Sequence, residues 1–242
     1  MYQNYLFDLY GTLIDINTDE ESAELWEKLA LLYGYKGAIY TGKEIHEEYV
    51  RLVQVEKQNV RKAHSDFTEI DILIDNVFKK LFTQKKVRAT KKDIEFIATA
   101  FRCYSTKYIR LYDGVIDLLE TLNAKGKNVY LLSNAQRSFT LNEMVMLDIV
   151  KYFDGIYISS DKLVCKPDTK YFDMLIDEYG LDKSQTVMIG NDYISDIQGA
   201  YNAGIDSLYI HQSISPDIQG ELKAKWAIMD GDVYKIKEYI VK

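Results

Sequence analysis

Short apolar runs that alternate with amphipathic helical stretches constrain this chain more than any other feature. The runs lie at 5–7, 129–132, 155–158, 187–189 and 207–210. Helical periodicity marks 115–123, 138–150, 170–179 and 194–203. Strands that alternate with helices make a parallel sheet, because each crossover must pack back onto the sheet it leaves. The expected fold class is α/β, a Rossmann-like parallel sheet core with helices on both faces.

The first strand stands apart from the others. Between it and the second lies a block that reads as helix after helix. Thr18 with Glu21 has the spacing of a capping box, in which hydroxyl and carboxylate satisfy free N–H groups at a helix start. Leu25, Trp26, Leu29, Ala30 and Tyr33 then share one face, and Gly34 suits the end. A second helix is expected from near Lys43, with Ile45, Tyr49, Leu52 and Val53 on one side. Asp66 with Glu69 is read as the start of a third, carrying Ile70, Leu73, Ile74, Val77, Phe78 and Leu81. Thr90 is read as the start of a fourth, carrying Ile94, Ile97, Ala98 and Phe101. The organisation predicted is an α/β core at 1–15 and 111–242, with an all-α cap inserted at 16–110. The stretch 226–229 reads as a last edge strand followed by a short helix.

Charge and composition exclude several function classes. A formal net charge of -7 argues against nucleic acid as a partner, since phosphate backbones need clustered positive charge. It leaves room for a small anionic substrate, which needs only a local positive site. No apolar run is long enough to span a bilayer, so no membrane partner is expected. The opening MYQNYLFDLYGT has neither the basic start nor the cleavage site of a signal peptide. Cys103 and Cys165 show no pairing pattern. The expected location is cytoplasmic.

In open parallel sheets, ligands bind beyond the carboxyl ends of the strands. Asp8-Leu9-Tyr10-Gly11-Thr12 follows the first strand, and Ser133-Asn134 the second. Cys165-Lys166-Pro167-Asp168 opens the helix near Lys170. Gly190-Asn191-Asp192-Tyr193-Ile194-Ser195-Asp196 follows the fourth strand. Each alone has an ordinary explanation. An aspartate after a strand turns the chain or caps a helix. Proline's fixed φ suits a first helical turn. Acidic residues near a helix start are favoured by the helix dipole.

Together and in this order, the four segments resemble the four motifs of the haloacid dehalogenase superfamily. The resemblance covers the whole chain, the place of the insertion included. It implies a hydrolase with an α-helical cap over its site. Asp8 matches the nucleophile that attacks phosphorus or carbon. Thr12 and Ser133, with Asn134 beside it, match the groups that bind the transferring moiety. Lys166 matches the lysine that pairs with the nucleophile and the anionic substrate. Asn191, Asp192 and Asp196 match the loop that holds Mg2+, with Asp8 and the backbone carbonyl of Tyr10 completing the set. Physics supports these parts. A carboxylate attacking an anionic phosphoryl group needs its repulsion offset by a lysine and a divalent cation. Magnesium is a hard ion that takes carboxylates, carbonyls, water and phosphate. Ser133 and the N–H groups beyond it would grip further oxygens at a helix N-terminus.

Two positions depart from the pattern in opposite directions. Phosphatases of this family carry a second aspartate two residues after the nucleophile, to protonate the leaving group; here it is Tyr10. FDLYGTL looks like the 2-haloacid dehalogenase branch, which needs neither that acid nor a metal. A phenol with an ordinary pKa near ~10 is no equivalent of a carboxyl near ~3.9. Alternatively, Tyr10 fills space and contributes only its carbonyl. IGNDYISDIQGA, in contrast, looks like the phosphatase metal loop, with Asn191 where an aspartate often stands. An arginine-rich cap helix for a substrate carboxylate is not found, and Arg51 and Arg61 are the candidates that remain. The preferred reading is a magnesium-dependent phosphatase acting on a small phosphorylated metabolite through an aspartyl-phosphate. The alternatives are a metal-independent 2-haloacid dehalogenase and a weakly catalytic or non-catalytic binding module on the same fold. Metal dependence separates the first two.

His46, His64 and His211 lack transition-metal spacing, and no zinc site is expected. Cys165 adjoins Lys166, whose charge would lower a thiol pKa; an incidental cysteine is the simpler reading.

Overall fold

The computed structural model describes residues 2–241. Its strands are β1 (Asn4–Phe7), β2 (Ile14–Thr18), β3 (Thr106–Leu111), β4 (Asn128–Ser133), β5 (Gly155–Ile158), β6 (Thr186–Gly190), β7 (Asp206–Ile210) and β8 (Trp226–Ile228). Its helices are α1 (Ala23–Tyr35), α2 (Gly42–Ala63), α3 (Ile74–Gln84), α4 (Lys91–Ser105), α5 (Val115–Ala124), α6 (Arg137–Met146), α7 (Ser159–Lys162), α8 (Thr169–Tyr179), α9 (Gly199–Asn202) and α10 (Tyr234–Ile240). Six strands pair in the order β5-β4-β1-β6-β7-β8, each neighbour parallel to the next. The fold is α/β and Rossmann-like, as the alternation predicts.

Successive side chains on a strand point to opposite faces. Both faces of this sheet are covered, so β1 is buried along its whole length. Tyr5 and Phe7 pack on one face with Val129, Leu131 and Val187, beneath Leu118 and Leu122 of α5 and Ile236 of α10. Leu6 packs on the other with Tyr130, Leu132 and Met188, beneath Tyr171, Phe172 and Leu175 of α8. A strand buried on both sides reads as an unbroken apolar run, which is why these were legible.

β2 and β3 pair as an antiparallel ribbon, from Ile14↔Leu111 to Thr18↔Thr106. The ribbon leads out of the sheet to α1–α4 and back. These helices bury a cluster of their own, with Leu25, Trp26, Leu29, Tyr33, Val77, Phe78 and Phe101 at its centre, to which α6 adds Phe139.

Local structure departs from expectation in four places. Thr18 does not cap a helix: it ends β2 opposite Thr106, and α1 starts at Ala23 with no side-chain cap from Ser22. True capping boxes stand at Thr41/Glu44 and Thr90/Asp93. The third helix of the inserted block begins at Ile74 rather than near Asp66. Residues before it spend their backbone groups on the core: Thr68 N–H donates to Asp168 Oδ2 at 2.7 Å, and Ile70 bridges Val164. The helix expected to 150 stops at Met146, and Val150–Tyr152 forms a separate 3-10 turn. The stretch from Tyr193 to Gln198 is π-helical before α9. The edge strand and short helix near the C-terminus are present as β8 and α10. Among the described residues, no helix is long and apolar enough to cross a membrane.

Candidate active site

β1 ends beside β6, where Asp8 N–H donates to Ile189 O at 2.9 Å. The next residues turn sharply: Leu13 and Ile14 N–H both return to Leu9 O, and Gly11 takes φ +82°. This turn sets Asp8 and Thr12 side by side, with Thr12 Oγ1 3.4 Å from Asp8 Oδ2. β4 delivers Ser133, whose Oγ lies 3.5 Å from Asp8 Oδ1. Lys166 approaches from the loop before α8. Its ammonium donates to Asp8 Oδ1 at 2.8 Å and to Asp196 Oδ1 at 2.7 Å, with 2% of the residue exposed. Asn134 does not face Asp8 in these contacts. Its amide clamps the Lys166 backbone, donating to the carbonyl at 2.9 Å and accepting the N–H at 2.8 Å.

The fourth motif divides its work. Asn191 is buried, and its Oδ1 lies 3.4 Å from Thr12 Oγ1. Asp192 is occupied locally, accepting Ile194 N–H at 2.8 Å and Ser195 N–H at 3.0 Å to start the helical turn. Asp196 accepts Lys166 on one oxygen and Asp192 N–H on the other. Burial pushes the Asp196 carboxyl up to about 7, with Lys166 opposing and Asp8 adding to the rise. Burial works against the Lys166 ammonium, yet Asp196 and Asp8 together hold it above its ordinary value.

Tyr10 is engaged by side chains of α6 and α4. Its hydroxyl donates to Glu143 of α6 and lies 3.0 Å from Thr140 Oγ1. Arg102, at the end of α4, lies over the ring at 5.5 Å and donates to Glu143 at 2.5 Å. Burial first and then Glu143 hold the phenol well above its usual range. Arg102, Thr140 and Glu143 carry no motif signal, because they meet Tyr10 only through the tertiary fold.

The N–H groups expected to receive substrate oxygens are partly taken. Ala135 N–H donates to Ser159 Oγ at 2.8 Å and Arg137 N–H to Ser160 Oγ at 3.0 Å. Cys165 is no activated thiol: burial, with Asp71 and Glu69 nearby, pushes it up to about 12 despite Lys166. Arg51 is paired with Glu48 on its own helix, and Arg61 is exposed. Neither is part of the Asp8 cluster.

Among the described residues, no three His, Cys, Asp or Glu side chains converge as a metal cluster. Candidate donors are of another kind: the Asp8 carboxylate, the Asn191 amide oxygen beside Thr12, and the carbonyl of Tyr10 two residues after Asp8. Magnesium usually takes one or two carboxylates and fills the rest of its octahedron with carbonyls, water and substrate phosphate. The donor chemistry fits that ion; of the loop's two carboxylates, Asp192 accepts N–H groups on Oδ1 and Asp196 accepts Lys166 and the Asp192 N–H.

The family model for a haloacid dehalogenase-like hydrolase matches residues 2–204, most of the chain. This chain is a haloacid dehalogenase-like hydrolase. Among relatives of this hydrolase is pyrimidine 5'-nucleotidase PynA of Streptococcus pneumoniae, 26% identical over 213 residues, which are 86% of this chain and 83% of PynA. Solved structures share the fold. A 2-haloacid dehalogenase from Pseudomonas syringae pv. tomato superposes with a TM-score of 0.66 at 18% identity, covering 100% of this chain and 99% of that one. Magnesium-bound YfnB from Bacillus subtilis gives 0.57 at 19% identity, covering 100% and 99%. At such identities these two likenesses speak for the fold alone.

Proposed function

We propose that this hydrolase is a magnesium-dependent phosphatase acting on small phosphorylated metabolites in the cytoplasm, with residues 16–110 as the cap over its site. The observation that carries the reading is the buried cluster of Asp8, Lys166, Ser133 and Thr12: a carboxylate held ready beside an ammonium and two hydroxyls. Asp8 attacks phosphorus, forming a P–O bond as the bond to the leaving oxygen breaks. Water then hydrolyses the resulting aspartyl-phosphate. Lys166 offsets charge on the nucleophile and on the phosphoryl oxygens, in surroundings where a charge is weakly screened. Ser133 and Thr12 hold the phosphoryl oxygens, and Asn134 fixes the Lys166 backbone. Asp8, the Tyr10 carbonyl and Asn191 would hold magnesium, which would supply the further positive charge that lets one anion approach another. The substrates to try first are pyrimidine nucleoside 5'-monophosphates, the class named for PynA.

Tyr10 favours a second reading, halide displacement by Asp8. Such a substrate carries a carboxylate that needs a cationic clamp. Arg51, Arg102, Arg110 and Arg137 are each paired with a carboxylate of the chain. That weighs for the phosphatase.

The test is a phosphatase panel with and without Mg2+, run beside halide release from 2-chloropropionate. Phosphate release that vanishes with chelator and in Asp8→Asn is expected, the variant losing orders of magnitude in rate while its melting temperature holds. Halide release that survives chelator would transfer the reading to the dehalogenase.

A further inference from the structure

Asn191 is the uncharged side chain in the proposed metal set. An amide presents two ends of opposite character: Oδ1 attracts a cation, and Nδ2 repels one. Orientation at this position therefore decides whether a cation is welcome, a choice that an aspartate never meets. The neighbours of Asn191 set the orientation. Nδ2 donates to Ser215 Oγ at 3.2 Å. Oδ1 lies 3.4 Å from the Thr12 hydroxyl. Gly11 leaves the space that the amide fills, since a Cβ there would sit 2.3 Å from Nδ2.

Ser215 belongs to the loop after β7, outside the four motifs, and is itself held in place. Its Oγ accepts Gln212 N–H at 2.9 Å. It also lies against the Tyr209 phenol, which is hydrogen-bonded to His211 Nδ1 at 2.9 Å. The Ser215 oxygen thus accepts from both Gln212 N–H and Asn191 Nδ2, which fixes the amide nitrogen on this side.

We propose that Ser215 is a positioning residue that holds Asn191 with its carbonyl oxygen toward Asp8, and so sets the affinity for the divalent cation. The inference rests on the magnesium reading. Its test is a calorimetric titration of Mg2+ into full-length wild type, Ser215→Ala, Ser215→Thr, Asn191→Asp and the Ser215→Ala/Asn191→Asp double variant, with melting temperatures taken without metal. Ser215→Ala weakens Mg2+ binding about fivefold, the net worth of one hydrogen bond. Ser215→Thr keeps the hydroxyl and stays near wild type. Asn191→Asp binds more tightly. Adding Ser215→Ala to Asn191→Asp changes affinity by less than about twofold, because a carboxylate has no wrong end to present. Equal weakening in both backgrounds would reveal a general effect on the loop and overturn the proposal. Unchanged affinity in Ser215→Ala would overturn it too. Both results leave the magnesium reading standing, whereas a wild type that binds no Mg2+ overturns the two together.

Discussion

Lys166 keeps a positive charge in a slot where its side chain is 1% exposed, because two carboxylates lie within 2.8 Å of it. Removing it leaves Asp8 and Asp196 facing one another unneutralised. Breaking a buried pair by deleting one partner costs roughly 3–5 kcal/mol, so Lys166→Ala should lower both unfolding stability and kcat/KM. Lys166→Arg restores the charge but not the shape, since a planar fork does not fit where a compact ammonium touches two oxygens at once. Rescue by Arg to near wild-type rates would reduce Lys166 to general electrostatics. Tyr10 makes the opposite case, a side chain at a catalytic position that is engaged elsewhere. Its hydroxyl is committed to Glu143, so the leaving group has no proton donor at this position. Tyr10→Phe should lower stability by about 1.5–3 kcal/mol, the worth of a hydrogen bond to a charged group. It should leave the leaving-group dependence unchanged, with p-nitrophenyl phosphate well ahead of alkyl phosphates in both proteins. A selective fall of about 100-fold on alkyl phosphates would show the phenol to be the acid after all.

Helix starts in the inserted helical block show where local pattern and tertiary context part. Thr18/Glu21 and Thr41/Glu44 have the same spacing, yet only the second pair forms a box, with Glu44 N–H donating to Thr41 Oγ1 at 3.2 Å and Thr41 N–H to Glu44 at 2.7 Å. The first pair lost its threonine to the β2–β3 ribbon. Thr41→Ala should therefore cost about 1 kcal/mol in chemical denaturation, while Thr18→Ala costs a few tenths at most. Equal losses would mean that Thr18 also supports a helix in solution. The same competition moved the start of α3. Asp66 and Glu69 have a capping spacing, but the N–H groups of Thr68 and Glu69 go to Asp168, a hundred residues away along the chain. Helical periodicity was legible for α1, α2 and α4 because their apolar faces join one buried cluster, with α3 and Phe139 of α6, and packing followed the pattern.

At the scale of the molecule, the segment before α3 stitches the helical block to the sheet. Asp71 lies at this seam, accepting Ser159 Oγ, Gln136 Nε2 at 3.1 Å and Ile72 N–H at 2.7 Å. Burial raises its pKa, its hydrogen bonds opposing. A carboxyl raised in the folded state favours the protonated form. Its contribution to stability is full below the unfolded value of about 3.9 and is lost as pH rises through the folded one. Stability of wild type relative to Asp71→Asn should accordingly decline as pH rises from about 4 toward neutrality, measured by urea unfolding at each pH. A difference that is flat or grows with pH would show that hydrogen bonding outweighs burial at this seam.

The sequence by itself determined the sheet, the insertion after its first strand and the order of the motifs at the strand ends. Each follows from periodicity and from short spacings that the chain carries locally. What each of those motif residues touches was decided by the tertiary structure. Only folding brings Lys166 between Asp8 and Asp196, turns Asn134 onto the Lys166 backbone, directs Tyr10 to Glu143 and Arg102, and sets Ser215 against Asn191. The physical reason is that a side chain's partner depends on distances across the fold, and residues far apart in the chain meet only when the sheet and its helices are packed.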